Sequence, residues 1–547
     1  MRYAITMVLV IMMMPLSGIV SAENKAIEKD SFQTDSILES YSMPVKIAFD
    51  RVSNLESYTT EELHHSREWL VVTSIPISEH AMTYSKPISS KETGILPGSF
   101  VWELEGGAKP VERLSEALKI GEIESFSPLL ERIHHERYLP NDPELSSQWH
   151  LDNYGQTGGV SGEDANLTGA WDYYNGSGVV ISIVDDGLDI SHPDISPNYD
   201  QSASYDWCND DSDPTPLSFD GHGTAAAGVA AATGNNSLYV SGAAYGASIA
   251  GSNLISCSTS DYLESQALSY ENDYVDIYSN SWGPTDDGQR LGAPGPLMTA
   301  AFESDVYQGR DGLGNIITWA AGNGLASEDD SNYDGYANSR FTIAVTAITH
   351  QGEQSYYAEP GANILVAAHS NGDGESITTT DIVGSGGYNS SGNITDTFGG
   401  TSSATPLASG VIALMLEANQ NLTWRDVQHI LVNSARMNNQ SDPSWEVNGA
   451  GHDVSHKYGF GAVDAGAAVS MASSWTNVDE EVNLTIGPMV ENFQIDDGNS
   501  SWSEFNASIT MDMAIESIDV VVDISHNYRG NLEIVLVSPS GKESWLA

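Results

Sequence analysis

Basic residues are scarce in this chain of 547 residues: 21 Lys and Arg stand against 75 Asp and Glu, a formal net charge of −54. Because binding to nucleic acids and anionic membranes depends on clusters of basic residues, this scarcity excludes both as partners. The surplus of carboxylates favours cationic ligands and divalent metals, although a solvated acidic surface is an equally good interpretation. The acids are concentrated after residue 137, where 55 of them accompany 8 basic residues, so we expect a domain boundary there.

Cysteine is also rare, with Cys208 and Cys257 as the two examples in the sequence. A chain of this length buries enough surface to fold without disulfide bridges. In an exported protein an even number of cysteines indicates a disulfide framework. We therefore expect one bridge between these two residues, with a pair of buried free thiols as the alternative.

Long apolar runs are missing as well, since no segment reaches the roughly 18 apolar residues that a membrane-spanning helix needs. The first 22 residues combine Arg2, an apolar run over 4–16 and a small-residue segment, Val20-Ser21-Ala22. This pattern predicts a signal peptide over residues 1–22. We therefore expect a soluble mature protein that is secreted, either to the extracellular space or to the periplasm.

The rest of the chain changes character twice. Residues 23–137 alternate short apolar runs with a helical stretch at 110–120, which is enough for a small α+β unit. Residues 138–475 are rich in Gly and Ala and alternate buried-type strands, such as 178–184, with small-residue helices, which predicts an α/β fold with a mostly parallel sheet. Residues 476–547 contain short strands of an all-β module that stops without a natural ending, so we expect a truncated domain.

Three short motifs carry the side chains that nucleophilic acyl transfer needs. Asp185 ends a predicted strand, and His222 and Ser402 each lie at the start of a predicted helix. In a catalytic triad the His takes the proton from the Ser nucleophile, and the Asp holds the imidazole in the correct tautomer. Each motif alone is common, but the order Asp, His, Ser is one of the few known for triads. Asn323 lies between the His and the Ser and offers an amide as an oxyanion donor.

Together these motifs resemble the subtilisin superfamily, and in detail its kexin/furin branch, the proprotein convertases. The segments that carry the resemblance are Gln148-Trp149-His150-Leu151, Val184-Asp185-Asp186-Gly187-Leu188, His192-Pro193-Asp194, Ser281-Trp282-Gly283-Pro284, Asp334-Gly335-Tyr336, 422–429, Lys457-Tyr458-Gly459-Phe460-Gly461 and Asp464-Ala465. The resemblance implies a subtilisin-like parallel sheet flanked by helices and a C-terminal, jelly-roll-like P domain. It makes Asp185, His222 and Ser402 the triad, with Asn323 as oxyanion donor. Ser403 follows the nucleophile where the family usually has Ala.

The same resemblance implies an acidic substrate cleft. Asp286 and Asp334 match acids at the floor of the pocket for the residue that precedes the cut, and carboxylates bind Arg through strong charge-assisted bonds. Asp186 matches an acid that faces the next residue upstream, and Glu264 and Tyr336 match positions that face residues further upstream. Two positions depart from the family, because Gly292 and Phe219 replace further cleft acids. We therefore expect cleavage after basic or dibasic sites, with a looser demand upstream.

The resemblance also implies that some of the acids bind calcium, since Ca²⁺ is held by six to eight oxygen ligands. The family positions predict two to three sites. The first would use Asp206, Asp211 and Asp213; the second Asp142, Asp194 and Asn236 with the carbonyls of Thr233, Leu238 and Val240; and the third Asp286, Asp329 and Glu359.

Residues 23–137 have the position and size of the family's chaperone-inhibitor propeptide, with Arg137 or Arg132 as the site of self-cleavage. The sequence therefore predicts a secreted, calcium-dependent, monomeric serine endopeptidase with 138–475 as its catalytic domain. Its partners would be polypeptides with basic residues and its own propeptide. Two alternatives remain open: a subtilisin-type protease of broad specificity, and a non-catalytic binding protein on this scaffold.

Overall fold

The fold comes from a computed structural model. It describes residues 37–41, 45–46, 49, 52–55, 58, 63–64, 66–73, 87–105, 109–130, 139–488, 495, 502–509, 515–526 and 528–547. The described residues form two compact units, one up to residue 130 and one from residue 139 onward. The predicted signal peptide and the processing candidates Arg132 and Arg137 lie outside the described residues. Within the described residues, no helix has the length and apolar character to cross a membrane.

The first unit is a four-stranded antiparallel sheet with one helix. Its elements are a 3₁₀ turn (Leu38–Ser40), β1 (Glu68–Val72), β2 (Ser89–Glu92), β3 (Ser99–Glu103), α1 (Lys109–Lys119) and β4 (Ser125–Pro128), and the strand order is β2-β3-β1-β4. A small core joins the helix to the sheet through Trp69, Trp102, Leu114 and Phe126, all of them buried. This is the α+β unit that the sequence predicts.

The second unit is built on a seven-stranded sheet whose strands are all parallel. The strands are β5 (Val180–Asp185), β6 (Tyr205–Asp206), β7 (Ser248–Asn253), β8 (Ile277–Asn280), β9 (Ile316–Ala320), β10 (Thr342–Ile348) and β11 (Ile364–His369), in the order β11-β10-β9-β8-β5-β7-β6. The central strands are buried along their whole length, which explains why apolar residues predominate in them.

Six helices follow or flank these strands in the described part of the second unit: α2 (His222–Ala231), α3 (Asp261–Leu268), α4 (Pro296–Gln308), α5 (Thr401–Ala418), α6 (Trp424–Ser434) and α7 (Ala465–Ala472). Helices α2 and α5 consist largely of small residues because neighbouring backbone lies very close to them. A side chain on Gly410 would meet the backbone carbonyl oxygen of Ala230 at 2.9 Å and Ala243 Cβ at 2.5 Å. The predicted subtilisin-like sheet with flanking helices is confirmed.

Short antiparallel strand pairs complete the second unit. They are β12 (Ile377–Thr380) with β13 (Ile394–Phe398), β14 (Glu446–Val447) with β15 (Asp453–Val454), and β16 (Val535–Val537) with β17 (Glu543–Trp545).

Cys208 and Cys257 form a disulfide with a Cα–Cα distance of 5.7 Å, which confirms the expected bridge over the alternative of free thiols.

The topology brings the predicted functional residues to one edge of the sheet. Asp185 is the last residue of β5, and Asn323 follows β9 by three positions. Since parallel strands end at the same edge, these side chains lie where open α/β sheets bind their ligands. Helices α2 and α5 begin at this edge, with His222 and Ser402 in their first turns.

Candidate active site

Asp185 and His222 form a hydrogen-bonded pair at the carboxyl edge of the sheet. Asp185 is fully buried, and the His222 Nδ1 lies 2.9 Å from its Oδ1 and 3.0 Å from its Oδ2. The imidazole is 28% exposed and packs its edge against Phe398, with ring centroids 5.4 Å apart. Because Asp185 occupies Nδ1, the second ring nitrogen, Nε2, is the one left to act on a bound molecule.

Ser402 is fixed in the first turn of α5 by the local sequence. Gly400 precedes the helix with φ +77°, a conformation that other residues rarely adopt. Pro406 has no N–H, so the carbonyl of Ser402 lacks its usual partner in the helix and accepts instead from Ser281 Oγ at 3.1 Å. The Ser402 hydroxyl in turn donates to the carbonyl of Ser281 at 3.3 Å.

Asn323 is held with its amide group in a defined orientation. Its Oδ1 accepts from the backbone N–H of Thr401 at 2.9 Å and from the Thr401 hydroxyl at 3.1 Å. The Nδ2 donors are therefore available to a bound group. A Cβ on Gly400 would lie 3.3 Å from Asn323 Oδ1 and 3.7 Å from Ser402 Oγ, so the amide and the hydroxyl flank the same small space.

Ser403, the other hydroxyl in this turn, lies inside the protein. It is fully buried, and its Oγ lies 2.6 Å from the Oγ of Ser370 and donates to the carbonyl of Gly400 at 3.3 Å. The Ser402 side chain is only partly buried. Of the two adjacent serines, Ser402 is therefore the one that a substrate can reach.

A second carboxylate, Asp186, adds negative charge beside the imidazole. Its Oδ1 accepts from the N–H of Gly223 at 2.7 Å and its Oδ2 from the N–H of His222 at 3.1 Å, so it caps the start of α2. Burial lowers the pKa of His222, but Asp185 and then Asp186 outweigh it and raise the pKa to about 9. Burial and the charge of Asp185 raise the pKa of Asp186 to about 7.

Four carboxyl groups gather near the backbone of Asn323 and Gly324. Asp286 accepts from the backbone N–H of Asn323 at 2.8 Å, Asp329 from that of Gly288 at 2.9 Å, Asp334 from that of Tyr336 at 2.8 Å, and Glu359 from that of Gly324 at 2.7 Å. Burial raises the pKa of Asp334 to about 7, with further contributions from Asp286 and Asp329. Among the described residues, no Lys or Arg forms an ion pair with these four acids.

The remaining predicted cleft residues form a pair of their own. Glu264 on α3 accepts from the hydroxyl of Tyr336 at 2.8 Å and from that of Thr259 at 2.7 Å. The Tyr336 ring stacks on Trp319 with centroids 5.1 Å apart. Gly292, one of the two departures from the family, pairs its backbone with Asp334, and Phe219, the other, is 76% exposed.

Comparison with known protein families shows which family has this sequence and this site. The model of the subtilase family matches residues 176–461, just over half of the chain. The chain belongs to the subtilase family. The proprotein convertase P-domain model matches residues 515–547, the region of β16 and β17. The match to both models assigns this subtilase to the kexin/furin-like branch, as the sequence predicts.

Individual relatives agree with this assignment. The subtilase is 40% identical over 430 residues to the PC3-like endoprotease variant B of Hydra vulgaris, covering 76% of this chain and 59% of the relative. It is 41% identical over 422 residues to human proprotein convertase subtilisin/kexin type 6, covering 74% of this chain and 42% of the relative. A crystal structure of the serine protease of Aeromonas sobria matches with a TM-score of 0.58 and 27% identity, covering 64% of this chain and 70% of that one. The chain thus spans about half the length of the curated relatives it matches.

Asp286, Asp329 and Glu359, the third predicted calcium set, do converge in the subtilase. One carboxylate oxygen of each lies within 4.8 Å of the other two. Burial and the charge of Asp286 raise the pKa of Glu359 to about 9. Asp329 and Glu359 are buried, whereas Asp286 is not. Neighbouring carboxyl groups add to the raised pKa values of Asp286 and Glu359, and no cation from the described part of the protein offsets them, so the group is suited to a divalent ion with oxygen ligands. These residues therefore fit Ca²⁺.

The second predicted set also comes together. Asp142 accepts from the N–H groups of Asn235 at 2.7 Å and Asn236 at 3.1 Å, and Asp194 accepts from the Asn236 side chain at 3.0 Å and from the N–H of Val240 at 2.9 Å. Burial raises the pKa of Asp142, and Asp194 adds to the effect. The loop that carries Thr233, Asn236, Leu238 and Val240 therefore wraps around two buried acids, and a calcium role for this set stays a prediction.

The first predicted set has a different arrangement. Asp206 is fully buried, and four donors already bind its carboxylate: the N–H groups of Cys208 and Asn209 and the amide side chains of Asn209 and Asn253, at 2.7–3.0 Å. Asp211 and Asp213 accept from backbone N–H groups two positions further along. In the described residues these three carboxylates do not form a group as tight as that of Asp286, so their calcium role stays a prediction.

Sequence reasoning missed a group of aromatic residues beside the triad. Tyr356, Tyr388 and Phe398 line a cleft of about 370 Å³ together with His222 and Asn323. They come from three separate segments, and no spacing in the sequence brings them together. The tyrosine at the end of the glycine-rich stretch 384–388 was the one feature of the sequence that could have indicated a binding loop.

Proposed function

We propose that this subtilase is a secreted, calcium-dependent serine endopeptidase that hydrolyses peptide bonds after Arg or Lys. We assign residues 1–22 as its signal peptide, 23–137 as its propeptide, 138–475 as its catalytic domain and 476–547 as its P-domain region. The observation that carries the substrate specificity is the group of partly or fully buried carboxyl groups around Asp286 and Asp334, next to the backbone of Asn323. A guanidinium or ammonium group from a substrate would supply the positive charge that the described residues do not.

Asp334 is the acid best suited to this role. Its Oδ2 lies 3.0 Å from the position of a Cβ on Gly283, so the missing side chain there leaves the carboxylate open to a ligand. A bound Arg would lower the raised pKa of Asp334 and form charge-assisted hydrogen bonds with the resulting carboxylate. The pocket therefore favours a cationic side chain before the scissile bond.

The chemical step follows from the triad. Ser402 Oγ attacks the peptide carbonyl after turning from the carbonyl of Ser281 toward His222 Nε2, which takes its proton. Asp185 stabilises the imidazolium through Nδ1, and Asn323 Nδ2 with the N–H of Ser402 binds the oxyanion. His222 then donates the proton to the leaving amine, and the acyl-enzyme is released when water attacks with His222 as base.

Asp286, Asp329 and Glu359 would hold a Ca²⁺ ion in this proposal. The ion would neutralise acids that otherwise repel one another and stabilise the segment that carries Asn323. Asp286 would then serve this ion, while Asp334 faces the substrate. Glu264, Tyr336 and Asp186 would recognise residues upstream of the cut.

Profiling with peptides that carry Arg, Lys, Leu or Phe before one scissile bond tests the proposal. We expect kcat/KM for Arg to exceed that for Leu by at least about 100-fold, since a buried charge pair contributes several kcal/mol to discrimination. The Asp334→Asn variant should reduce this ratio by at least about tenfold. Asp287→Asn is the matched control, because the carboxylate of Asp287 pairs with Arg290 at 3.3 Å. Equal rates for Arg and Leu would instead indicate a broad-specificity protease.

The pH profile gives a further prediction. His222 must be neutral to act as a base, so its raised pKa places the acid limb of kcat/KM in the alkaline range. Asp186→Asn removes one of the charges that raise this pKa, and we expect the acid limb to move to lower pH. Asp311→Asn, an exposed change of the same charge near the opposite edge of the sheet, should leave the limb in place. An unchanged or higher limb in Asp186→Asn would contradict the assignment.

A further inference from the structure

The aromatic cleft beside the triad is distinct from the acidic pocket. It is lined by His222, Asn323, Tyr356, Tyr357, Asn371, Tyr388, Thr397, Phe398, Gly399 and Gly400, none of them Asp, Glu, Lys or Arg. Its volume of about 370 Å³ lies in the range of sites that bind small ligands. The cleft therefore has room for a large side chain and no fixed acid or base to bind a charged one.

Its position follows from Asn323 and His222. The backbone N–H of Asn323 donates to Asp286 on the acidic side, while the residue itself borders the aromatic cleft. A substrate whose basic side chain lies among the acids and whose carbonyl lies at Ser402 continues past His222, the group that must protonate the leaving amine. The cleft on that side receives the leaving residue, the one that follows the scissile bond.

The walls of the cleft are held in place. Buried Asp381 accepts from the N–H groups of Tyr388 at 3.1 Å and Asn389 at 2.6 Å. The Tyr388 ring meets Phe398 edge to face at 5.8 Å, and Phe398 meets the His222 ring at 5.4 Å. Tyr356 is 73% exposed and rests on Tyr357 with centroids 5.0 Å apart. Tyr388 is 46% exposed, so both tyrosines offer ring surface to a ligand.

We propose that Tyr388 and Tyr356 select an aromatic or large aliphatic residue immediately after the scissile bond. The inference rests on the proposed function, because it takes Ser402 as the nucleophile and His222 as the proton donor. Ring edges and faces pack favourably with aromatic side chains, which gain both apolar burial and oriented ring contacts. The acidic pocket would then recognise the residue before the scissile bond by its charge, and the aromatic cleft would recognise the residue after it by apolar contact.

Capture of the acyl-enzyme by added amines tests this cleft separately from the acidic pocket. The enzyme is acylated with an arginine methyl ester, and amino acid amides compete with water. The amine nitrogen attacks the acyl carbonyl, the ester bond to Ser402 breaks, and the amine proton passes through His222 to Ser402 Oγ. We expect phenylalanine amide to capture at least about tenfold more acyl-enzyme than glycine amide does.

Variants then assign the preference to the tyrosines. Tyr388→Ala should reduce the Phe-to-Gly capture ratio at least about fivefold, and Tyr388→Phe should retain it, because the ring and not the hydroxyl makes the contact. Tyr173→Ala, at a site 63% exposed and outside the cleft, is the matched control and should leave the ratio unchanged. The ratio is internal to each sample, so partial misfolding of a variant does not alter it.

Three results would overturn the inference. The first is a wild-type ratio near one, and the second is a better capture by lysine amide than by phenylalanine amide. The third is an unchanged ratio in Tyr388→Ala combined with Tyr356→Ala. Failure of the arginine ester to acylate the enzyme would contradict the basic specificity instead, and the capture ratio would then be measured with a leucine ester.

Discussion

The Ser402→Ala variant is expected to lose peptide hydrolysis almost completely, with a fall in kcat of roughly 10⁶-fold, the loss found when the corresponding serine of subtilisin is removed. The physical reason is that no other described hydroxyl in this turn combines access to substrate with the neighbouring Asn323 amide. The measurement is steady-state hydrolysis of a peptide with Arg before the cut, with circular dichroism to verify that the variant is folded.

Ser403→Ala is the matched control for this prediction. Its hydroxyl is buried against Ser370, so its removal leaves the reacting groups in place. We expect the control to retain kcat within about tenfold of wild type, since it loses one buried hydrogen bond. Turnover by Ser402→Ala near the wild-type rate, or loss of turnover in Ser403→Ala with a wild-type fold, would contradict the choice of nucleophile.

Removal of calcium is the second large effect that we expect. An ion present at about 1,000 times its Kd stabilises the folded state by about 4 kcal/mol. With an unfolding entropy of about 2.1 cal/mol/K per residue, this corresponds to a fall in Tm of about 6 °C on chelation for a catalytic domain of residues 138–475. Activity should fall with it, because Asp286 and Glu359 hold the N–H groups of Asn323 and Gly324 beside the oxyanion space. Calorimetry and hydrolysis assays with calcium or with EDTA provide the measurement.

The Glu359→Gln variant tests whether the calcium effect on Tm comes from the site formed by Asp286, Asp329 and Glu359 or from another site. It removes one carboxylate of the three, so the difference in Tm between calcium and EDTA should become smaller. Glu353→Gln changes an exposed acid and should keep the full difference. A wild-type Tm that is the same in calcium and EDTA would contradict a structural ion, and an unaltered response in Glu359→Gln would place the ion elsewhere.

The parallel sheet could be predicted because its central strands are short runs in which β-forming apolar residues predominate; β5, for example, has Val or Ile at four of its six positions. Asp185, His222 and Ser402 could be predicted from their positions at the ends of such elements. The polar residue at the end of a buried strand and the first turn of a small-residue helix meet at one edge of a parallel sheet. The resemblance already distinguished Ser402 from Ser403, but the burial of the Ser403 hydroxyl could not be predicted from the sequence. It depends on the register of α5, which turns one hydroxyl outward and the next toward Ser370.

The acidic loop 206–213 shows a different limit. Its sequence is rich in carboxylates and a calcium role for it stays a prediction, but the amide donors that bind Asp206, among them the side chain of Asn253, cannot be recognised in a linear pattern. The aromatic cleft was missed for a related reason: Tyr356 and Tyr388 become neighbours of His222 only through the path of two long loops. Contacts between distant loops are where sequence patterns carry least information.

The most direct test of the central claim is active-site labelling with a peptidyl phosphonate that carries an arginine-like side chain, followed by mass spectrometry of the proteolysed adduct. One experiment then reports both the nucleophile and the specificity. We predict a single stoichiometric adduct on Ser402 that forms much faster than with the matching leucine phosphonate. Absence of an adduct, an adduct on Ser403 or another residue, or faster labelling by the leucine probe would contradict a basic-specific serine endopeptidase.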